Sequence, residues 1–199
     1  MRIAAPVNGA RAARLFPAAL SAALLFACSP PVGEYFPDHF FPQDRIYENR
    51  PLGFTLTFTG NWNIATEPRA MTPEYRAVAR TLYESHAELL FLGYTAERSQ
   101  GARGIVNNLN VDNEEYLSLI RRMYARNIGE DFGFDTVDAG QFETLAWHYT
   151  FNRIHFVEYL FRSGTYNVRI AFWTTAQLFP KFRPVYEEMI RTLSRVSRM

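Results

Sequence analysis

Cys28 is the only cysteine among the 199 residues, which rules out an internal disulfide framework and any site built from paired thiols. Lysine is nearly as scarce: Lys181 stands alone, and every other basic residue is arginine. There is no Gly-x-Ser-x-Gly, no phosphate-cradling glycine loop and no histidine pair at i, i+4, so no motif points to catalysis and no cofactor is expected. Asp131-Phe132-Gly133 shares its letters with a kinase motif, but the glycine loop, lysine and catalytic loop that would give it meaning are missing. The longest apolar stretch, Leu15 to Ala27, falls well short of the ~20 residues a spanning helix needs.

What is present begins with that stretch. Arg2, Arg11 and Arg14 precede it, giving the basic leader and short apolar run of an export signal. Leu25-Phe26-Ala27-Cys28 resembles the lipobox cut by lipoprotein signal peptidase, with Phe26 bulkier than the usual residue there. The resemblance implies a signal peptide over 1–27, a lipidated Cys28 and a protein held at the bacterial cell envelope by palmitate-type acyl chains, facing the periplasm. Ser29 rather than aspartate follows the cysteine, which points to the outer membrane over the inner. Without the leader's three arginines the chain carries 18 basic residues against 20 acidic, a balance that gives nucleic acid nothing to bind.

Residues 28–45 read as a tether, because Pro30, Pro31, Pro37 and Pro42 interrupt any periodic pattern. Tyr35, Phe36, Phe40 and Phe41 make it unusually aromatic; these rings either pack back on the domain or meet the lipid interface or a protein partner. Residues 46–199 then form one globular domain. Alternation in Phe54-Thr55-Leu56-Thr57-Phe58 predicts a half-buried strand, Gly60-Asn61 a turn, and Trp62 with Ile64 a second strand. Thr72 and Pro73 open a helix to about His86; Ala87–Ala96 and Gly104–Val111 read as strands joined by a loop over Glu97–Arg103. Asp112 with Glu115 caps a helix whose buried face carries Tyr116, Leu119, Ile120, Met123 and Tyr124, and which Gly129 closes.

A three-stranded meander is predicted from Thr144 to Thr174. A Ser163-Gly164 turn places Glu158 opposite Arg169 as an exposed pair and puts Val157, Tyr159, Phe161, Tyr166, Val168, Ile170 and Phe172 on one apolar face. A last helix opened by Pro184 covers that face with Tyr186, Met189, Ile190, Leu193 and Val196. Trp62 and Phe172 are expected in the core.

Tyr47, Gly53 to Phe58 and Asn61-Trp62, followed at the far end by a glycine-turned hairpin, an aromatic strand and Phe179 and Phe182, resemble the PsbP-like superfamily with its DcrB-like lipoproteins. That resemblance implies an α+β fold, an α/β/α sandwich with a central antiparallel sheet and helices packed on it. It further implies a non-catalytic binding or assembly module, with no catalytic residue to carry over.

Candidate contacts follow from exposure and charge. Arg121, Arg122 and Arg126 form a stripe on the polar face of the second helix, read either as a solvated face or as a partner contact. A two-residue turn at Asn152-Arg153 would place His148 and His155 diagonally on one sheet face, where they either pack or, with a carboxylate, share a metal; no metal site is assigned. The expected function is a lipid-anchored module for an envelope protein partner or a ligand. The alternative is a hydrolase-like envelope enzyme with its site near His148 and His155.

Overall fold

The computed structural model describes residues 38–196. Strands β1 (His39–Phe41), β2 (Ile46–Asn49) and β3 (Phe54–Thr57) lead to β4 (Trp62–Ala65) and helix α1 (Pro73–Glu84). After β5 (Ala87–Thr95) and β6 (Gln100–Asn107) come α2 (Asn113–Tyr124) and the long strands β7 (Glu130–Ala139), β8 (Phe142–Phe151), β9 (Ile154–Ser163) and β10 (Tyr166–Thr175). Helix α3 (Phe179–Arg191) and β11 (Ser194–Arg195) complete the order. The strands form two antiparallel sheets, β1-β2-β3-β11 and β4-β5-β6-β10-β9-β8-β7. This is the expected α+β class, with one difference: a small second sheet stands beside α3 where helices alone were foreseen.

Both faces of the large sheet are covered, and each cover follows from an apolar stripe. Phe54 and Leu56 alternate with half-buried threonines, so β3 turns rings and methyls toward the large sheet. There they join Tyr47, Phe58, Phe91, Phe161 and Phe172 with Tyr186, Met189 and Ile190 of α3 in the main core. Phe172 stacks on Tyr186 at 5.0 Å and meets Trp62 edge-on at 6.2 Å, so both expected core residues lie in this layer. On the outer face Tyr116, Leu117 and Ile120 of α2 pack on Leu145, Trp147, Tyr149 and Leu160, while Ala79 and Leu82 of α1 pack on Leu89, Leu92 and Ile105. The two helices thus lie over opposite ends of the sheet. Between them lie the middle strands β6, β10 and β9, reached by α1 at Ile105 and by α2 at Leu160.

Several boundaries differ from the sequence reading, each for a local reason. Residues 39–41, expected in the tether, belong to the fold, because β1 pairs with β2 and Phe40 packs edge-on against Phe58 at 5.9 Å; residues 28–37 lie outside the described residues. Strand β6 starts at Gln100 inside the supposed loop. Its Gly101 lies under the Trp173 ring, where a Cβ would come within 2.1 Å of the indole, so the glycine marks a close approach and not a turn. Helix α2 ends at Tyr124 rather than Gly129, whose N–H instead donates to the Thr150 carbonyl at 2.8 Å. Met123, expected on the buried face, is 72% exposed, and Leu117 takes that place.

Helix α3 begins at Phe179, with Pro184 inside it. An internal proline forfeits one backbone hydrogen bond, and the burial of Tyr186, Met189 and Ile190 beyond it offsets the loss.

The meander is present with its faces as expected but its turn displaced. Ser163 pairs with Tyr166, so Gly164 and Thr165 are the loop, and the left-handed φ of 66° falls on glycine at the first loop position. Ser163 is held in the strand because its Oγ donates to the Leu52 carbonyl. The register moves by two positions, an even number, so every side chain keeps its face. Glu158 now lies opposite Ala171, and Arg169 opposite Leu160.

Candidate functional site

The middle strands hold an ion cluster. Glu158 of β9 is fully buried; its Oε1 accepts from Arg103 Nη2 at 2.8 Å and from the Tyr149 hydroxyl at 2.9 Å, and its Oε2 accepts from Arg169 Nη1 at 3.2 Å. Glu158 and Arg169 form the structural pair expected from sequence, but across a diagonal and in the interior, not as an exposed pair directly opposed. Arg103 is the partner the sequence reading placed in a loop. Strand pairing explains the meeting: residues 103, 171 and 158 are lateral neighbours across β6, β10 and β9, with Arg169 two positions along β10 on the same face.

Charge and burial act against each other here. Desolvation pushes the Glu158 carboxyl upward, and the Arg169 and Arg103 charges, with hydrogen bonds from Arg103 and Tyr149, overcome it and hold its pKa below the ordinary carboxylate value. Burial lowers both guanidinium pKa values, and the Glu158 charge more than restores them. Burial and the Glu158 charge together raise the Tyr149 hydroxyl well above its usual value, so it stays a neutral donor. One carboxylate therefore serves two guanidinium groups, and the trio keeps one positive charge. Arg103 Nε and Arg169 Nε are buried and donate to no protein acceptor.

Arg103 lies at the floor of a cleft of about 230 Å³. Its walls are Tyr124, Asn127 and Ile128 from the end of α2 and the following loop, and Tyr149, Phe151 and Phe156 from the sheet. The walls are ordered by ring contacts. Tyr149 stacks on Phe156 at 5.1 Å and on Trp147 at 4.2 Å, Phe156 meets Trp173 at 5.6 Å, and the Arg103 guanidinium carbon sits 5.9 Å from the Phe156 ring centre. Arg169 is covered by the Tyr124 ring at 5.5 Å. Arg103 retains 25% side-chain exposure against 8% for Arg169, so it is the cation that reaches the cleft.

The histidine pair lies on the opposite face of the sheet. Asn152 and Arg153 form the two-residue loop with φ of 48° and 65°, the left-handed pair a type I′ hairpin needs, and His148 and His155 come within 6.1 Å, ring centre to ring centre. His155 is stacked between Phe179 at 3.5 Å and Phe132 at 5.0 Å. Burial first, then the His148 and Arg183 charges, pushes its pKa down to about 4; burial also lowers that of His148. Among the described residues no group of three His, Cys, Asp or Glu is placed to hold a metal ion. The pair is aromatic packing with a neutral imidazole.

The remaining sequence candidates separate. Cys28, Tyr35 and Phe36 lie outside the described residues. Phe40 is half-buried on the core, whereas Phe41 is 38% exposed beside the His39 ring. Arg121 is not a free outward cation: its Nε donates to Asp131 Oδ2 at 2.8 Å, and the Asp131 Oδ1 accepts from Trp147 Nε1 at 3.1 Å. Arg122 and Arg126 are exposed, Arg122 at the rim of an open groove of about 690 Å³ that also includes Arg121 and Phe134. That groove is larger than the cleft but has no buried charge beneath it.

No protein-family model matches the sequence, and no curated protein is similar to it by sequence. Solved structures are similar in arrangement. The solution structure of cyanobacterial PsbP (CyanoP) from Synechocystis sp. PCC 6803 matches with a TM-score of 0.49 at 7% identity, over 86% of this chain and 99% of that one. A crystal structure from Bacteroides thetaiotaomicron matches with a TM-score of 0.44 at 14% identity, over 77% of this chain and 48% of that one. Neither likeness carries a residue, ligand or partner to this chain.

The sequence reading missed Arg103, Tyr149 and the cleft itself. A signal was available: Glu158 between Val157 and Tyr159, and Arg169 between Val168 and Ile170, are charges set into strands whose neighbours are all apolar. Such residues are fully buried only when paired.

Proposed function

We propose that the protein is a lipid-anchored module of the bacterial cell envelope that binds a ligand or a membrane-associated partner and performs no chemistry of its own. The observation that carries the reading is the cleft between the end of α2 and the sheet: a permanently charged floor under aromatic walls. Its ionisable groups are displaced away from neutral pH, the carboxylate downward and the tyrosine upward. A general acid or base works best with a pKa near the operating pH, so these groups are suited to holding charge in place rather than moving protons. The anchor rests on the lipobox-like segment ending at Cys28.

Membrane fractionation of the full chain with mass spectrometry of its N-terminus tests the reading. A di- or triacylated Cys28 in the membrane fraction, and unprocessed chain in Cys28→Ala, are expected. An unmodified terminus at any other residue of the wild type would overturn the anchored module.

A further inference from the structure

We infer that the cleft over Arg103 is a binding site for a small carboxylate with a flat apolar or aromatic body. The inference deepens the binding-module reading and rests on it.

Three observations converge on this class. The first is charge: one Glu158 carboxylate serves two guanidinium groups, and Arg103 is the member of this net-positive trio that reaches the cleft. A surplus positive charge held partly out of water costs free energy, and an anion in the cleft offsets that cost. The second is donor geometry. Arg103 gives one Nη2 hydrogen to Glu158 and its Nε is buried, so the remaining Nη hydrogens are the donors left for an acceptor in the cleft, which a planar carboxylate matches.

The third is the wall. Tyr124, Ile128, Phe151 and Phe156 present rings and methyls, so the body attached to the anion is apolar and flat. At about 230 Å³ the cleft is smaller than the ~300–1,000 Å³ of pockets that take drug-sized ligands, which restricts the body to about one ring. Inorganic phosphate would satisfy the cation and waste the walls.

The test follows Arg side-chain resonances of the full chain by 15N NMR while benzoate is added, with benzylamine and inorganic phosphate as separate arms. Benzoate should shift the Arg103 Nε–H signal saturably, benzylamine should not, and phosphate should bind at least about tenfold more weakly. Arg103→Gln leaves Glu158 paired to Arg169 and should weaken benzoate binding by about tenfold or more. Asn127→Trp, at an exposed cleft wall away from the ion cluster, should do the same by filling the cleft, and carries the test if Arg103→Gln does not fold. Failure of benzoate to saturate the shift, equal binding of phosphate, or unchanged affinity in Asn127→Trp would each overturn the inference. The anchored-module reading is decided separately by the state of Cys28, so the two failures are distinct.

Discussion

Replacing Glu158 with glutamine removes one negative charge from the interior without changing side-chain volume. In the folded protein the carboxylate has no exposure and accepts three hydrogen bonds, two of them from guanidinium groups. Its loss leaves Arg103 and Arg169 facing each other across a neutral amide that accepts through a single oxygen. Breaking a buried pair by removing one partner costs about 3–5 kcal/mol, against about 0–1 kcal/mol for an exposed pair. For a domain of this size each kcal/mol shifts Tm by about 2–4 °C, so the variant should melt roughly 6–20 °C below the wild type. Circular dichroism during thermal and urea unfolding reads it.

The pH dependence gives an internal check. The Glu158 pKa is depressed in the folded state, so its contribution is complete above the unfolded value of about 4.3 and is lost as pH falls below it through the folded value. The wild type should converge on the variant in acid. A Tm loss under about 2 °C at neutral pH, or a gap between the two proteins that persists unchanged to pH 2, would refute the buried-cluster account.

Two further perturbations address other layers. Phe172→Ala empties a fully buried site between Trp62 and Tyr186 and should cost about 3–5 kcal/mol in urea unfolding; an unchanged midpoint would place the ring outside the core. His155 should titrate at about pH 4 by NMR, where an unperturbed histidine titrates near 6.5. Its folded pKa is the lower one, so stability present above about pH 6.5 declines as pH falls toward 4, and His155→Phe, which keeps the stack with Phe179, should flatten that decline. Titration of His155 above pH 6 would show that the imidazole is not held between the rings.

The elements that sequence conveys well are those whose evidence is local. The threonine alternation around Phe54 and Leu56, the Asp112 side chain accepting from the Glu115 N–H, and the apolar alternation from Val157 to Phe161 each require only neighbours in the chain. The β9–β10 register went astray by two positions because Ser163 is held by Leu52, 111 residues away. Pro184 reads locally as a helix start, and only the buried side chains on both sides of it reveal that the helix runs through.

The candidate site was legible in part for the same reason. Glu158 and Arg169 lie on adjacent strands of one hairpin, and their pairing follows from the meander. Arg103 comes from 55 residues earlier, on a strand that local composition, with Gly101 and Gly104, presents as a loop. Burial turned a pair expected to be exposed into a cluster of one fully buried carboxylate and two guanidinium groups. The cleft adds contributions from α2, β6, β8 and β9, whose convergence no window of sequence contains.

The most direct test of the central claim is a high-resolution crystal structure of the full chain purified from the cells that make it. The account predicts density for a bound planar anion within hydrogen-bonding reach of the Arg103 guanidinium, its body against Tyr124 and Phe156. A cleft holding only ordered water, with the free Arg103 N–H groups donating to it, would contradict the account and leave the cluster a structural device alone.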